Sequence, residues 1–459
     1  MPTIVETLAA YAAAERQRKL ADSVRHHARR AVIDWFASLL PGSSVAPATL
    51  LAAALEGECG AGCAVIYAGG QRAPLRTAAL INATAAHSIE FDDIFRDAIF
   101  HPGCPTVAAA LATAQAEGES GEVLLRAVVV GYEVSTRIGV AVQPSHYRFW
   151  HTTGTVGTFG AAAAVATVLG LDAARMAHAL ANAATFAAAL QQAFRSDAHS
   201  KPLHAGHAAE AGALAALAAA KGVTGARDVL EGPAGFGAAM SQGADWARAT
   251  EALGEHYNIT AMTFKNHGCC GHSFAAIDAA LALAHAHHLL PEQIAHLRIG
   301  TYRAALDVTD RHAVATPFEG RFSTPFTVAS ALVHGSVRLD AFSPARLSDP
   351  RVQALMQRVT MHVDSDCDAA FPRRRSAVVE IETTDGARLR HHQPTRRGDP
   401  EAPLSDADLS DKFSELTGPV IGAAAADALL AQLWRLDDMP AGALDRLGTA
   451  PLSAASKIS

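Results

Sequence analysis

The sequence has no long run of basic residues, the longest being Arg373-Arg374-Arg375, and no long uninterrupted apolar stretch. Its formal net charge is −7 and its pI is near 6.3, and this acidic balance argues against a nucleic-acid partner. Every apolar run is broken by a charge or a helix breaker before it reaches membrane-spanning length. The first residues show neither the basic nor the apolar region of a signal peptide. We therefore expect a cytoplasmic protein with no nucleic-acid partner and no membrane contact.

Aromatic residues are also scarce, at 6% of the chain, although half of all residues are hydrophobic. Alanine supplies much of the apolar count, which favours closely packed helices over a β-sandwich. The 459 residues exceed what one ordinary hydrophobic core accommodates, so we expect two domains.

Cysteine and lysine are rare as well. The six cysteines are scattered over the chain, at Cys59, Cys63, Cys104, Cys269, Cys270 and Cys367. The spacing of the first two suits a metal, but no second pair completes the set, and two adjacent cysteines cannot both ligate a tetrahedral zinc without strain. We therefore expect free, mostly buried thiols and no metal site. Six lysines remain among 38 basic residues, and a compact ammonium suits tasks that arginine performs badly.

The segment from His87 to Asp93, followed by His101-Pro102-Gly103, concentrates carboxylates and imidazoles. Bulky apolar residues adjoin the acids, and such surroundings shift proton affinities. Asp93 is therefore a candidate base. The plainer alternative is a solvated acidic turn at the end of a helix.

Two further segments place histidines and lysines at helix entrances. His151 precedes an alanine-rich helix whose start offers backbone N–H groups to an anion. Lys201 lies among histidines that include His204, and the proline after it predicts an extended conformation at the mouth of a helix. Lys265 with His267 forms the third such segment. A simple N-cap and a solvated loop lysine are the respective alternatives.

The periodicity of the chain predicts helices up to about residue 288, then strands with a helix at 324–333 between them, and helices again from Ser405 to Leu436. Alternating segments at 297–302, 359–364 and 377–383 predict strands, and Asp385-Gly386 predicts a hairpin. The fold is therefore expected to be mainly α. An all-helical domain would span 1–268, completed by 394–459, with a smaller α+β domain at 269–393.

Phosphate loops, a GxSxG elbow and a convincing set of metal ligands are all missing from the sequence. The histidines, lysines and carboxylates of the three segments suit acid–base chemistry on a small anionic substrate. Lysines and histidines would hold carboxylates, and Asp93 or a histidine would remove a weakly acidic proton beside one of them. Dehydration, decarboxylation and epimerisation share this step, and each needs cations near the enediolate.

Five motifs resemble the MmgE/PrpD family, which includes 2-methylcitrate dehydratase, cis-aconitate decarboxylase and iminodisuccinate epimerase. The motifs lie at 87–102, 151–158, 201–206, 264–272 and 398–413. The resemblance implies a helical domain with a smaller lid domain, a homodimer, and a site that needs no cofactor. Two positions depart from the family pattern: Ile94 replaces a threonine and Glu90 replaces an aspartate.

The positions that match the family's active-site motifs are Glu90, Asp93, His101, His151, Lys201, Lys265 and His272; His204 and His267 are added because they lie beside the two lysines, and Arg321 because it could bind a carboxylate. Those expected to be catalytic are Asp93, His101, His151, Lys201 and Lys265, and those expected to bind substrate are Glu90, His204, His267, His272 and Arg321. The simplest expectation is a 2-methylcitrate dehydratase-like hydro-lyase for a small di- or tricarboxylic acid. In it the lysines bind carboxylates and stabilise the enediolate, Asp93 or His151 is the base, and His101 protonates the leaving hydroxyl. The alternatives are an epimerase, a decarboxylase, and a non-enzymatic scaffold that binds small acids or a protein.

Overall fold

The computed structural model of the chain describes residues 2–195 and 198–448. The chain divides into two compact units: the first comprises Met1–Thr263 and Ser405–Ser459, and the second comprises Phe264–Leu404. The predicted fold class is confirmed, because the chain is mainly helical with one small α+β unit. Lys265, which the sequence analysis assigned to the large domain, belongs to the second unit.

The first unit consists of helices joined by loops. They are α1 (Ile4–Glu15), α2 (Asp22–Gly42), α3 (Ala48–Ala54), α4 (Leu75–Ala86), α5 (Gly103–Glu117), α6 (Gly121–Val142), α7 (Thr152–Val168), α8 (Ala173–Phe186), α9 (Ser200–Ala220), α10 (Phe236–Met240) and α11 (Ala247–Thr250). The glycine-rich segment between α3 and α4 holds a short antiparallel pair, β1 (Ala64–Val65) with β2 (Arg72–Ala73).

Small side chains allow the central helices to approach one another closely. Every residue of α7 is buried, and most of its apolar residues are alanine. On α9, a Cβ added to Gly206 would lie 2.2 Å from Thr84 Oγ1 of α4, so a side chain there would force the two helices apart. The alanine content thus has its expected consequence, a core of tightly packed helices.

The second unit combines helices with a four-stranded sheet. Its elements are α12 (Phe274–His287), β3 (Ile294–Thr301), α13 (Arg303–Thr309), α14 (Pro317–Arg321), α15 (Thr324–His334), α16 (Pro344–Leu347), α17 (Pro350–Met356), β4 (Val359–Val363), α18 (Ser365–Ala370), β5 (Ala377–Thr383) and β6 (Arg388–Gln393).

The strand order in this sheet is β4-β3-β5-β6, with β3 and β4 parallel and the other pairs antiparallel. The predicted hairpin is confirmed: β5 and β6 pair from Ala377↔Gln393 to Glu382↔Arg388. The core of the unit is apolar, with Phe274 and Ile277 of α12 buried together with Phe326 of α15 and Ile299 and Val379 of the sheet.

The chain then returns to the first unit through α19 (Asp406–Ile421) and α20 (Ala423–Trp434). The sequence predicted a helical stretch from Ser405 to Leu436, and the structure divides it at Gly422, whose φ of 84° no regular helix contains. Ser405 caps α19 by accepting from Asp408 N. None of the helices in the described part of the chain combines the length and apolarity needed to cross a membrane.

Candidate active site

The acid-rich segment links α4 to α5 and departs twice from ordinary backbone geometry. Glu90 has φ of 61° and Ile99 has φ of 49°, values in the left-handed region that non-glycine residues seldom adopt. Strain of this kind costs about 1–3 kcal/mol per residue and is concentrated at functional sites. Phe95 and Phe100 pair through two backbone hydrogen bonds and close the turn between them.

Asp92 is the carboxylate of this segment that contacts histidines. Its Oδ2 accepts a hydrogen bond from His87 Nδ1 at 2.7 Å and lies 2.9 Å from His101 Nδ1. The Cys104 thiol donates to the same oxygen at 3.2 Å. His87, Asp92 and Cys104 are buried, whereas the His101 side chain is 16% exposed. One carboxylate oxygen therefore orients two imidazoles.

Asp93 points elsewhere, although it is the neighbouring residue. Its two oxygens accept from Gly103 N at 3.0 Å and from Tyr132 OH at 2.7 Å. A Cβ at position 103 would lie 2.8 Å from both Asp93 Oδ1 and Tyr132 OH, so glycine is required in this motif. Burial, and then the negative charge of Asp34, raise the pKa of Asp93 to about 8.

A buried ion pair supports the acid segment. Lys412 of α19 donates to Asp34 Oδ1 at 2.6 Å and to the backbone oxygen of Phe91 at 2.9 Å, and its ammonium lies 5.3 Å from the centre of the Phe91 ring. Phe91 stands between Glu90 and Asp92, so this lysine fixes the backbone that carries both acids.

His151 and His204 form a second pair of imidazoles. His151 precedes the first residue of α7, His204 lies in the first turns of α9, and their Nδ1 atoms are 3.0 Å apart. Burial, then nearby His87 and Lys201, lower the pKa of His204 to about 4. The same causes, in the same order, hold the pKa of His151 well below its usual value. Both rings are therefore neutral near pH 7, with one Nδ1 donating and the other accepting.

Lys201 forms an ion pair with Glu90. The prediction that this lysine is extended is wrong, because α9 begins at Ser200 and includes it. Pro202 is tolerated in the first helical turn, where its missing N–H has no intrahelical acceptor to satisfy. Lys201 and His204 then stand one turn apart on the same face. The Phe194 ring packs against both sides of the site, 5.4 Å from Lys201 Nζ and 4.8 Å from the His151 ring.

Ring contacts join the two histidine pairs. The rings of His87 and His151 stack with centroids 5.5 Å apart, and those of His87 and His101 meet edge to face at 5.0 Å. The first unit therefore brings together most of the site residues predicted within it. These are Glu90, His101, His151, Lys201 and His204. Asp93 instead faces Tyr132 of α6.

The remaining predicted residues lie in the second unit. Lys265 is buried. His267 donates from Nε2 to Asp278 Oδ1 at 2.9 Å. His272 Nδ1 is 2.7 Å from Tyr302 OH, and burial, then Arg375 and Arg396, lower its pKa to about 3. Arg321 is half-buried, with its guanidinium 5.3 Å from the Phe342 ring centre.

The motif around Asp399 has a structural explanation within this unit. Arg396 and Asp399 form a buried bidentate pair, with Nε to Oδ2 at 2.9 Å and Nη2 to Oδ1 at 2.6 Å. Arg396 also donates to the backbone oxygen of Gly271 at 3.3 Å, which ties this turn to the segment that carries His272.

Models of two protein domains match the chain in sequence. The MmgE/PrpD N-terminal domain matches residues 6–249, and the MmgE/PrpD C-terminal domain matches residues 267–436. The chain belongs to the MmgE/PrpD family. The family resemblance found in the motifs is thereby confirmed.

Curated relatives of this MmgE/PrpD protein include cis-aconitate decarboxylases. The mouse enzyme is 28% identical over 406 residues, covering 84% of this chain and 82% of the relative. The human enzyme is 29% identical over 385 residues, covering 80% and 78%. The cis-aconitate decarboxylase-like protein oryM of Aspergillus oryzae is 27% identical over 423 residues, 87% of each chain. Family and relatives together support a lyase-type enzyme.

Several residues of the MmgE/PrpD site were not predicted from the sequence. Asp92 stands in the quoted motif, but nothing local distinguishes it from Asp93. Tyr132 lies in an apolar helix, and its contact with Asp93 spans 39 residues. Cys104 could have been noticed, because it follows His101-Pro102-Gly103 directly. Phe194 carries no sequence signal that separates it from an ordinary loop aromatic.

Proposed function

We propose that this protein is a cofactor-independent lyase that forms a carbanion next to a carboxylate of a small di- or tricarboxylic acid. The observation that carries the proposal is the contact between two imidazole pairs: His151 with His204, and His87 with His101 at Asp92. Lys201 and Glu90 flank them. Proton donors, proton acceptors and a cation are thus available within a few ångströms, and this is what carbanion chemistry requires.

The His151–His204 pair suits proton removal. Because both imidazoles are neutral and their Nδ1 atoms share one proton, His151 presents either a bare or a protonated Nε2, depending on which ring donates. A neutral imidazole with a bare nitrogen is a general base near neutral pH. His151 is therefore the base of this proposal, in preference to Asp93, whose oxygens are occupied by Gly103 and Tyr132.

His101 suits proton return. A carboxylate held against one ring nitrogen stabilises the imidazolium that forms when the other nitrogen carries a proton. Asp92 holds this position relative to His101, with 2.9 Å between Oδ2 and Nδ1. His101 would then protonate the carbanion after loss of CO2, or a hydroxyl as it leaves.

Lys201 would balance the charge of the enediolate. Its ammonium is already paired with Glu90, so a substrate carboxylate competes with Glu90 for it. That exchange keeps the buried ammonium compensated before and after binding, which avoids the large cost of an isolated buried charge. Lys265 and Arg321 of the second unit remain predicted contributors, and the variant Lys265→Met tests the first of them.

Decarboxylation of cis-aconitate is the first reaction to test, since the relatives described above carry that name. Dehydration of 2-methylcitrate is the second candidate. The observation that favours it is the Asp92-supported His101, because expulsion of hydroxide needs a positioned acid. Epimerisation of iminodisuccinate needs proton removal and return without a leaving group, and remains the third alternative.

The test is incubation of the full chain with each of the three acids separately, followed by proton NMR in D2O. We expect one of them to yield a decarboxylated or unsaturated product. Deuterium entering the recovered substrate without net conversion would instead identify an epimerase. If all three acids are recovered unchanged and unlabelled, the proposed function is wrong.

The variant His151→Gln tests the assigned base. Gln fills a similar volume but cannot accept a proton, so we expect kcat to fall about 10²–10⁴-fold, the usual contribution of general acid–base catalysis. His207→Gln is the matched control, because His207 lies on α9 but is exposed and contacts only the Phe186 backbone oxygen among the bonds described. Equal activity in the two variants would remove His151 from the mechanism.

A further inference from the structure

Three ligand atoms of different chemistry meet at the buried carboxylate of Asp92. Its Oδ2 is 2.7 Å from His87 Nδ1 and 3.2 Å from Cys104 Sγ, and these two atoms are 3.8 Å apart. Among the residues that the structure describes, this is the one group of three histidine, cysteine or acidic side chains whose ligand atoms all lie within 4.8 Å of one another. No ion occupies it. The sequence predicted no metal site, because Cys59 and Cys63 have no second pair to complete a ligand set and the adjacent Cys269 and Cys270 cannot both ligate a tetrahedral zinc without strain.

The spacing of these atoms is close to that around a metal ion. Bonds of about 2.0–2.3 Å place the ligands of a tetrahedral ion about 3.3–3.7 Å apart. A nitrogen–sulfur or oxygen–sulfur pair would be about 3.6 Å apart, so the distance of Cys104 Sγ from His87 Nδ1 is about 0.2 Å too long and its distance from Asp92 Oδ2 about 0.4 Å too short. The two imidazole nitrogens that face Asp92 Oδ2 must both move away from it, His87 Nδ1 by about 0.7 Å and His101 Nδ1 by about 0.5 Å.

A fourth ligand stands beside the group. His101 Nδ1 lies 2.9 Å from the same Asp92 oxygen, and its side chain is 16% exposed while the other three are buried. Solvent therefore reaches the group on the side of His101, which gives an ion a way in. Two imidazoles, one carboxylate and one thiolate make four ligands, the number that zinc prefers.

The donor atoms select the class of ion. Imidazole nitrogen with thiolate sulfur suits Zn²⁺ or Co²⁺, whereas Mg²⁺ and Ca²⁺ prefer oxygen ligands throughout. Binding would release the Cys104 thiol proton, since the thiolate is the ligand. The His87 proton would move from Nδ1 to Nε2, and no described group hydrogen-bonds Nε2 to oppose that tautomer.

We propose that His87, Asp92 and Cys104, with His101 as the fourth ligand, form a binding site for a thiophilic divalent cation of the zinc type. The ion takes the Asp92 oxygen that orients His87 and His101, so it inhibits the enzyme instead of assisting it. Only this inhibition rests on the proposed function. Binding itself depends on the four side chains alone.

The experiment is a titration of the purified, chelator-treated full chain with Co²⁺, followed by optical absorption without substrate. We expect a single equivalent of Co²⁺ to produce two signals. The first is thiolate-to-cobalt charge-transfer absorption in the near ultraviolet, and the second is the set of visible bands of tetrahedral cobalt. Both signals should disappear when Zn²⁺ is added. Cys104→Ala should abolish the charge-transfer absorption. Cys63→Ser, which changes an exposed thiol, should leave it unchanged.

Two results would overturn the site: no thiolate-to-cobalt absorption in the unmodified chain under a large excess of Co²⁺, or full absorption in Cys104→Ala. Cys104→Ser, which keeps the size and the hydrogen bond to Asp92, serves if the alanine variant fails to fold, as judged by circular dichroism. A chain that binds cobalt but converts none of the three acids keeps the site and loses the proposed function. A chain that converts one of the acids but shows no charge-transfer absorption keeps the proposed function and loses the site.

Discussion

Two adjacent carboxylates in this protein have different surroundings and therefore different properties. The Asp92 oxygen faces His87, His101 and Cys104, whereas Asp93 faces Tyr132 and the backbone of Gly103. The difference arises from the turn that leads into α5, because Gly103 brings its N–H within 3.0 Å of Asp93 and leaves no room for a side chain. Asp92 contacts the imidazoles, whereas Asp93 joins the start of α5 to Tyr132 of α6.

Asparagine substitutions separate these two roles. Asp92→Asn removes the charge that supports His101, so we expect kcat to fall by about 10²-fold or more. Asp93→Asn keeps an acceptor for Gly103 N–H and an amide that donates to the Tyr132 oxygen, so kcat should stay within about threefold of the unmodified enzyme. Steady-state kinetics on whichever acid proves to be the substrate measures both. A larger loss for Asp93→Asn would restore Asp93 as the base.

At the residue scale, the sequence predicts which residues form the candidate site better than it predicts which of them contact one another. Glu90, His101, His151, Lys201 and His204 are predicted because each lies in a short motif. The choice between Asp92 and Asp93 depends on where each side chain points, and that is decided by Gly103, ten positions later, and Tyr132, 39 positions later. Neither contact can be predicted from a local sequence pattern.

Helix α19 is the element whose contribution to the site is least visible in the sequence. It lies outside the motifs that carry the histidines, yet its Lys412 holds Asp34 of α2 and the Phe91 backbone oxygen. Both charges of the pair are buried. Such pairs destabilise strongly when one partner is removed, because the other charge stays in the interior.

Removing the ammonium tests this support. Lys412→Met leaves Asp34 buried without that cation, and we expect the free energy of unfolding to fall by about 3–5 kcal/mol. The double variant Lys412→Met/Asp34→Leu removes both charges and should recover most of the stability. Activity should not recover with it, because the Phe91 oxygen still lacks its donor. Urea unfolding and kinetics measure the two effects.

Lys221→Met, which alters an exposed lysine of the same unit, is the control for the loss of a charge alone. If the single and double variants are equally unstable, the buried pair is not the reason. If the double variant regains both stability and activity, the bond to Phe91 has no part in positioning the acids.

At the element scale, periodicity predicts which segments are helical more reliably than where they begin. Lys201 was expected to be extended at the mouth of the helix because proline disfavours a helical residue before it, but α9 starts at Ser200. A proline in the first turn lacks only an N–H that would have no partner there. Packing of the small residues of α9 against α4 then outweighs the local preference.

At the scale of the whole molecule, several buried histidines make stability depend on pH. The His146 ring makes two contacts: its Nδ1 donates to the Met240 oxygen at 3.0 Å, and its Nε2 is 2.7 Å from Thr155 Oγ1. Burial lowers its pKa to about 4 from the ordinary 6.5. His151, His204 and His272 have depressed pKa values as well.

These groups favour folding while they are neutral. Between pH 6.5 and 4 the unfolded chain binds a proton at position 146 and the folded chain does not, so stability is complete above pH 6.5 and is lost as the pH falls. We expect His146 alone to contribute a loss of about 2 kcal/mol between pH 7 and pH 5. Urea unfolding at a series of pH values measures the slope.

His146→Gln should make that slope shallower, because glutamine can donate to Met240 and accept from Thr155 without titrating. His207→Gln, at an exposed position, should leave it unchanged. An identical slope in the two variants would mean that the acid sensitivity arises elsewhere.

The fold class follows from the composition and from the change in periodicity after about residue 290, because both express how whole segments bury their apolar faces. The return of the chain to the first unit was also predicted in outline. The individual partners of the returning helix could not be, since Lys412 and Asp34 are 378 residues apart. No sequence period relates the two positions.

That separation has a consequence for biosynthesis. Lys412 follows Phe91 by 321 residues, and the whole second unit is translated between them. The acid-bearing turn leaves the ribosome long before the ammonium that anchors it exists. A nascent chain stopped ahead of α19 therefore carries every histidine of the candidate site but lacks the donor to the Phe91 oxygen, so we expect the proposed activity only after α19 has been made.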